Sequence, residues 1–536
     1  MPLISMIHHI SLLSAERACN TRHVLRWVAV LASAVCYALL LPVAHGQDAT
    51  DSEPIVKIGN GLLRGAQDGG VHAFKGIRFA SPPLGNLRWR APKPAEPWQK
   101  VQDATRYGHS CMQTPYAVNS PYYKELRSIA EDCLFLNVWS AQLRTKEPAP
   151  VMVWIHGGSF TRGSGSIDNY NGASLARDGV VLVTINYRLG IFGYLAHPEL
   201  SQERSGTSGN YGLQDQIAAL QWVRDNIAAF GGDPGNVTVF GESAGSSAVN
   251  QLLASPAAAG LFHRAIGQSG GFISPQPELV KGHALGQEAF EQAEAENLAA
   301  MREMGSSLVM DVFNAMEADG HRIRPLVDGG VIPDPALQRF DRGEHNAVPS
   351  LVGYNQDEST AFALYPSIPY LFKSQHDFEQ GLKKLAGFGA FPFTWAYPEQ
   401  EGSQQPYLDF WRDMIFGWNM HTWARLNEAA GESSYLYFFT HVPDNEVGKE
   451  LGAYHAAEIN YVFGNDVPDK ADDQRVHELM RSYWVNFART GDPNGEGLPE
   501  WPRYGSDADY LELNAAPAAA ADLNWLQMKL WSFVFE

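Results

Sequence analysis

Only four of the 536 residues are cysteine, and two of those, Cys19 and Cys36, fall near the N-terminus. Neither Cys111 nor Cys133 has the paired Cys or His spacing of a zinc site, so no metal is called for. Positive charge is also scarce: 40 Lys and Arg face 59 Asp and Glu, a net charge of −19. Such a surface repels nucleic acid and anionic membranes, and neither is expected as a partner. No internal repeat is present. Beyond the first 46 residues no apolar run is long enough to span a bilayer.

The N-terminus reads as an export signal. Arg17, Arg22 and Arg26 precede the apolar run "WVAVLASAVCYALLLPVA", and Ala44 and Gly46 place small residues at a cleavage site after Gly46. Pro42 and its small neighbours favour cleavage over an uncleaved anchor, and Val35 is too bulky for a lipoprotein site at Cys36. Losing residues 1–46 removes three Arg and one Glu, taking the net charge to −21. The mature chain is then expected to be secreted or periplasmic, without stable membrane association, and a monomer or homodimer. Its two remaining cysteines most simply form one disulfide.

Apolar, β-rich runs alternate with longer helical patterns. "VMVWIH", "VVLVTINY", "VTVF", "RAIGQS", "SLVGYN" and "YLYFFT" read as strands buried on both faces, where polar alternation disappears. Between the second and third, Leu213, Ile217, Leu220 and Val223 recur at helical spacing, and Gly231 ends the run. This alternation predicts an α/β chain with a large, mostly parallel central sheet and helices on both faces. Residues 275–345 and 360–430 are helical, the second stretch rich in Trp and Phe. They read as insertions over the sheet's C-terminal edge, so residues 47–536 form a single domain. The tract "NAAPAAAADLN" reads as a surface connection before a last helix, "WLQMKLWSFVF".

The pattern G-x-S-x-G occurs twice, around Ser243 in "VTVFGESAGSS" and around Ser269 in "GQSGG". A helix-compatible run follows Ser243, whereas two prolines follow Ser269 and forbid a long helix. Only Ser243 has the strand, sharp turn and helix that expose a nucleophilic hydroxyl. Such a serine needs a base and the base an acid. His455 stands out among the downstream histidines, set among small residues in "GAYHAAEINYVFG". Asp357 and Glu358 in "VGYNQDES" both follow a strand, and the residues alone leave the choice of acid open. Upstream, "VWIHGGSF" ends a strand in glycines whose N–H groups can face a developing oxyanion, together with the N–H of Ala244. An imidazole base makes activity fall as pH drops through roughly 6 to 7.

"FGGDPGNVTVFGESAG" and "EDCLFLNVW" are similar to the two most specific signatures of the type-B carboxylesterases. "GIRFASPPLGNLRW", "GNYGLQDQ", "LFHRAIGQSG" and "YHAAEINYVF" resemble further family segments in the expected order, over about residues 53–535. The resemblance implies an α/β-hydrolase fold and a serine carboxylic-ester hydrolase acting on a small ester and water, with no cofactor. It implies a triad of Ser243, Glu358 and His455, with Asp357 supporting, and an oxyanion hole from Gly158, Ser159 and Ala244. Family members mostly have Gly or Ala where Ser159 stands. Glu242 and Ser269 match residues the family keeps near the histidine. Cys111 and Cys133 match its first disulfide, and the cysteines of its second are absent. The alternatives on this fold are a lipase, a thioesterase or a non-catalytic adhesion member. The last is disfavoured because every catalytic component is present. Between the cysteines stand tyrosines but no tryptophan, which argues against the cholinesterase branch.

Arg162, three residues beyond Ser159, is expected near the pocket entrance. It either pairs with a surface carboxylate or receives a carboxylate on the substrate through two parallel hydrogen bonds. Bacterial fumonisin esterases in this family cleave esters of a tricarboxylic acid, which makes a polyacid ester the specific expectation.

Overall fold

Successive side chains of a strand point to opposite faces, and the central strands use both faces for core. In β7 (Ala149–Ile155), Val151, Val153 and Ile155 enter one apolar cluster, and Met152 and Trp154 enter another. In β8 (Val181–Ile185), Val183 and Leu182 divide in the same way. The helix Tyr211–Asn226 covers the first face with Leu213, Ile217, Leu220 and Val223, and Gly231 follows it at φ 84°. The long helix Ala471–Thr490 covers the second with Leu479, Tyr483, Trp484 and Phe487.

The computed structural model describes residues 53–203, 206–363, 375–386, 391–400 and 403–536. The export signal expected at residues 1–46 lies outside them. From Glu53 on, the chain forms one compact unit. Ile55–Ile58 (β1), Gly61–Arg64 (β2) and Gln102–Asp103 (β5) make a small separate sheet. Among the described residues the main sheet has eleven strands. It adds Ala66–Asp68 (β3), Val71–Arg78 (β4), Phe135–Ser140 (β6), Gly232–Glu242 (β9) and Arg264–Gln268 (β10). Ser350–Asn355 (β11), Ser434–Phe439 (β12), Tyr510–Leu513 (β13) and Ala518–Ala520 (β14) complete it. The order is β14-β13-β12-β11-β10-β9-β7-β8-β6-β4-β3. Pairing is parallel from β8 through β13 and antiparallel at both ends.

One expectation needs correction. The alanine tract is not wholly a surface connection, because Ala518–Ala520 pair with β13 as the edge strand β14. Their side chains bury little, so no apolar pattern marks them; the open backbone edge of β13 supplies the partners. The later insertion packs on the C-terminal helix Trp525–Phe535 through Phe393–Trp531 and Trp418–Phe535 ring contacts at 4.7 and 4.6 Å. No helix among the described residues is long and apolar enough to cross a membrane.

Candidate active site

Ser243 sits between β9 and the helix Ala244–Ala254 with φ 56° and ψ −123°. Holding a non-glycine residue in so sparsely populated a region costs about 1–3 kcal/mol, and the surroundings must over-determine it. They do. Its N–H donates to the Gln268 carbonyl at 2.8 Å, and its own carbonyl accepts from Ser247 N–H at 2.9 Å. At Gly245 any side chain would collide with the Ile155 carbonyl oxygen. Ser243 is half-buried in this position. Ser269 follows β10 with φ 53° but is fully buried, and no helix begins until Leu279.

His455 is buried, and its Nδ1 lies 2.6 Å from Glu358 Oε2. Glu358 is itself fully buried, and its second oxygen accepts the Asn355 N–H at 2.8 Å. The neighbouring Asp357 does something else. Its carboxylate accepts Ala453 N–H at 2.8 Å, and its N–H donates to the Ala453 carbonyl at 3.0 Å. Asp357 therefore fastens the histidine loop to the end of β11, while Glu358 reaches the imidazole.

The other imidazole nitrogen, Nε2, lies 3.1 Å from Glu242 Oε1, beside Ser243 in the chain. No hydrogen bond joins Ser243 Oγ to His455 in this structure; catalytic contacts of this kind often tighten only when substrate is bound. A third buried carboxylate, Glu458, accepts from Gln268 Nε2 at 3.0 Å and from Asn355 Nδ2 at 2.7 Å. Trp484 Nε1 in turn donates to Gln268 Oε1 at 3.1 Å. Burial pushes the Glu242 carboxyl up to about 8, with Glu458 and Glu358 adding to the rise and His455 opposing it. Burial pulls the other way on His455, but Glu242 and Glu358 outweigh it and hold the imidazole up to about 9. Glu242 and His455 form one coupled pair, and between them they hold at least one extra proton at neutral pH.

Beyond β7 the chain continues through His156, Gly157, Gly158 and Ser159. Gly157 lies against the serine turn: a Cβ there would stand 3.1 Å from Ser243 Cβ and 2.7 Å from the Glu242 carbonyl oxygen. Gly158 then turns with φ 105° and Ser159 with φ 58°. The Gly158 carbonyl accepts from Thr161 and Arg162 N–H, both at 3.0 Å, and folds the loop back. The backbone N–H groups of Gly158, Ser159 and Ala244 find no protein acceptor among the described residues. A positive φ explains why glycine would suit position 159, since an L side chain there costs about 1–2 kcal/mol.

Next to this turn is a cavity of about 120 Å³ whose walls include Tyr116, Tyr122, Lys124, Gly158, Glu242 and Tyr454. The first three come from the loop closed by the Cys111–Cys133 disulfide. The Arg162 guanidinium lies 4.8 Å from the Tyr116 ring and 4.0 Å from a Glu317 carboxylate oxygen. It thus has an acidic neighbour, and it stacks on Tyr116, whose ring stands in the wall of this cavity. Lys124 and Glu458 were not anticipated from sequence. Glu458 had a signal, a lone carboxylate in the apolar run after His455; Lys124 had none. Among the described residues no group of three or more His, Cys, Asp or Glu could hold a metal.

The family model for carboxylesterases matches residues 52–531. The chain belongs to the carboxylesterase family. It is a carboxylic-ester hydrolase of the α/β-hydrolase fold. A medium-chain fatty acyl-CoA hydrolase precursor from Anas platyrhynchos is 36% identical, over 91% of this chain and 93% of the relative. Fumonisin B1 esterase from Sphingopyxis macrogoltabida is 35% identical, over 88% of this chain and 89% of the relative. Among solved structures, a PNB esterase superposes with a TM-score of 0.79 at 32% identity, covering 89% of this chain and 99% of its own.

Proposed function

We propose that this carboxylesterase works through an acyl-enzyme formed on Ser243. The observation that carries the reading is the histidine: His455 is buried with Nδ1 2.6 Å from Glu358 and Nε2 3.1 Å from Glu242, the residue that precedes the strained Ser243 in the chain. His455 takes the proton from Ser243 Oγ as the oxygen attacks the ester carbonyl carbon. Glu358 holds the imidazole in place and balances the imidazolium charge. The carbonyl oxygen becomes an oxyanion and accepts from Gly158, Ser159 and Ala244 N–H, groups left without a protein acceptor. As the tetrahedral intermediate collapses, the C–O bond to the alcohol breaks and His455 returns the proton to the leaving oxygen. Water, deprotonated by His455, then attacks the acyl carbon. Ser243 leaves with the proton and the free acid is released. Glu242, against His455 Nε2, and Ser269, buried after β10, take supporting positions.

The preferred substrates are esters that carry a further carboxylate. Two cations border the cavity beside Ser243, Lys124 in its wall and Arg162 over Tyr116, and a relative bears the name fumonisin B1 esterase. The test compares a neutral ester with a dicarboxylate half-ester on wild type and Arg162→Ala. A loss confined to the charged ester, of roughly 2 kcal/mol in kcat/KM, supports the assignment. Equal losses on both esters reject it. Thioester cleavage is the second reading, favoured by the name of the acyl-CoA hydrolase relative, and medium-chain acyl-CoA belongs in the same panel. Residues 1–46 act as a cleaved export signal, and the Cys111–Cys133 disulfide suits an oxidising compartment.

A further inference from the structure

A second cavity, of about 260 Å³, shares no lining residue with the one beside Ser243. It lies where the helix Leu279–Gln292 faces Tyr194–Ala196 and residues 320–326. Its apolar wall comes from Leu195, Leu285, Ile323 and Leu326, and its charged wall is cationic, from Lys281, Arg322 and Arg324. The Glu317 carboxylate feels the Arg322 charge without forming an ion pair with it. His321, also in the wall, is paired with Glu288 at 2.8 Å. Arg322 donates to the Glu317 and His321 carbonyl oxygens at 3.0 and 2.9 Å. Among the described residues Arg324 donates to the Pro275 carbonyl alone, at 3.4 Å. None of the three forms an ion pair with a carboxylate among the described residues. In a chain of net charge −19 this concentration of unpaired cations around an apolar cavity is out of character. Burial and the neighbouring Arg322 charge pull the Arg324 guanidinium below its ordinary pKa, a strain that a bound anion would relieve.

We infer that this cavity binds a small amphipathic carboxylate, its apolar body against Leu195, Leu285 and Leu326 and its carboxylate against Arg322 and Arg324. A guanidinium takes a carboxylate through two parallel hydrogen bonds. A neutral apolar guest would leave the cations unpaired, and a small inorganic anion would leave the apolar wall unfilled. The volume is near the lower end for small-molecule sites, about 300 Å³, and excludes a folded partner. The ligand chemistry has two sources: a free carboxylic acid, which ester hydrolysis itself releases, or the remote carboxylate of a substrate.

Calorimetric titration of octanoate into the Ser243→Ala protein keeps this test separate from the catalytic reading, because no turnover is needed. One binding event is expected. It should weaken about tenfold or more in an Arg322→Gln/Arg324→Gln background, and likewise when Leu285→Trp fills the cavity. Thermal melting should show both variants folded, and octan-1-ol should bind at least about tenfold more weakly than octanoate. Octanoate bound equally by the parent and both variants overturns the proposal, as does equal binding of octanol or no binding up to ~10 mM. In the active enzyme, octanoate that raises KM only for a dicarboxylate half-ester identifies the substrate's own carboxylate as the occupant. The same effect on a neutral ester identifies the free acid.

Discussion

Replacing Glu242 by glutamine keeps the shape of the side chain and removes the charge that faces His455 Nε2 at 3.1 Å. At that separation and an effective dielectric of about 20, the ion pair is worth roughly 5 kcal/mol, or about 4 pKa units. The realised effect is smaller. Burial, opposed by His455, holds the Glu242 carboxyl up to about 8, so near neutral pH it is largely protonated and carries only part of its charge. Neighbouring charges typically move a group by about 1–3 units, and that range is the expectation. The sign follows from which form is stabilised. Glu242 favours the imidazolium, together with Glu358 holding His455 up to about 9, and an imidazolium cannot accept the Ser243 proton. Wild-type kcat/KM should therefore fall as pH drops through the alkaline range, above the roughly 6 to 7 expected of an isolated imidazole. In Glu242→Gln this limb should move to lower pH by about 1–3 units, because the stabilised acid form has lost one partner. The assay is kcat/KM for a neutral ester by pH-stat titration from about pH 5 to about pH 10, which reports the free enzyme. A limb that stays within ~0.3 unit of wild type, or moves up, refutes the coupling between Glu242 and His455.

Asp357→Ala leaves the Ala453 N–H without its acceptor and should cost about 1–3 kcal/mol in denaturant unfolding. It should also lower kcat through the loosened histidine loop, and unchanged stability would count against Asp357 as the fastener. Replacing both Cys111 and Cys133 by serine frees a loop whose ends are 22 residues apart and should remove roughly 3 kcal/mol of stability. Because that loop carries Tyr116, Tyr122 and Lys124, KM for esters should rise in the same variant; a lost disulfide with unchanged KM would separate the loop from substrate binding.

The parallel centre of the sheet was legible because β7 to β12 are buried on both faces, which turns their sequences into unbroken apolar runs. The edges were not. Ala518–Ala520 join the sheet through backbone groups alone, and β3 and β4 are short or interrupted by Gly76. Around Ser243 the small residues at Gly241 and Gly245 announced the turn, since close backbone approach leaves no room for side chains. The division of labour between Asp357 and Glu358 was not readable from residues that are adjacent and chemically alike; it depends on which carboxylate faces Ala453 and which faces His455. Lys124 was invisible for another reason, because its place in the cavity wall comes from the path of a disulfide-closed loop without regular structure.

The central claim is that Ser243 carries the acyl group. Incubation with a serine-directed phosphonate, followed by peptide mass analysis, tests it without reference to any natural substrate. The account predicts one adduct, on the peptide containing Ser243, forming as ester hydrolysis is lost, with Ser269 unmodified in its buried position. An adduct on Ser269, or complete loss of hydrolysis with Ser243 unmodified, would contradict it.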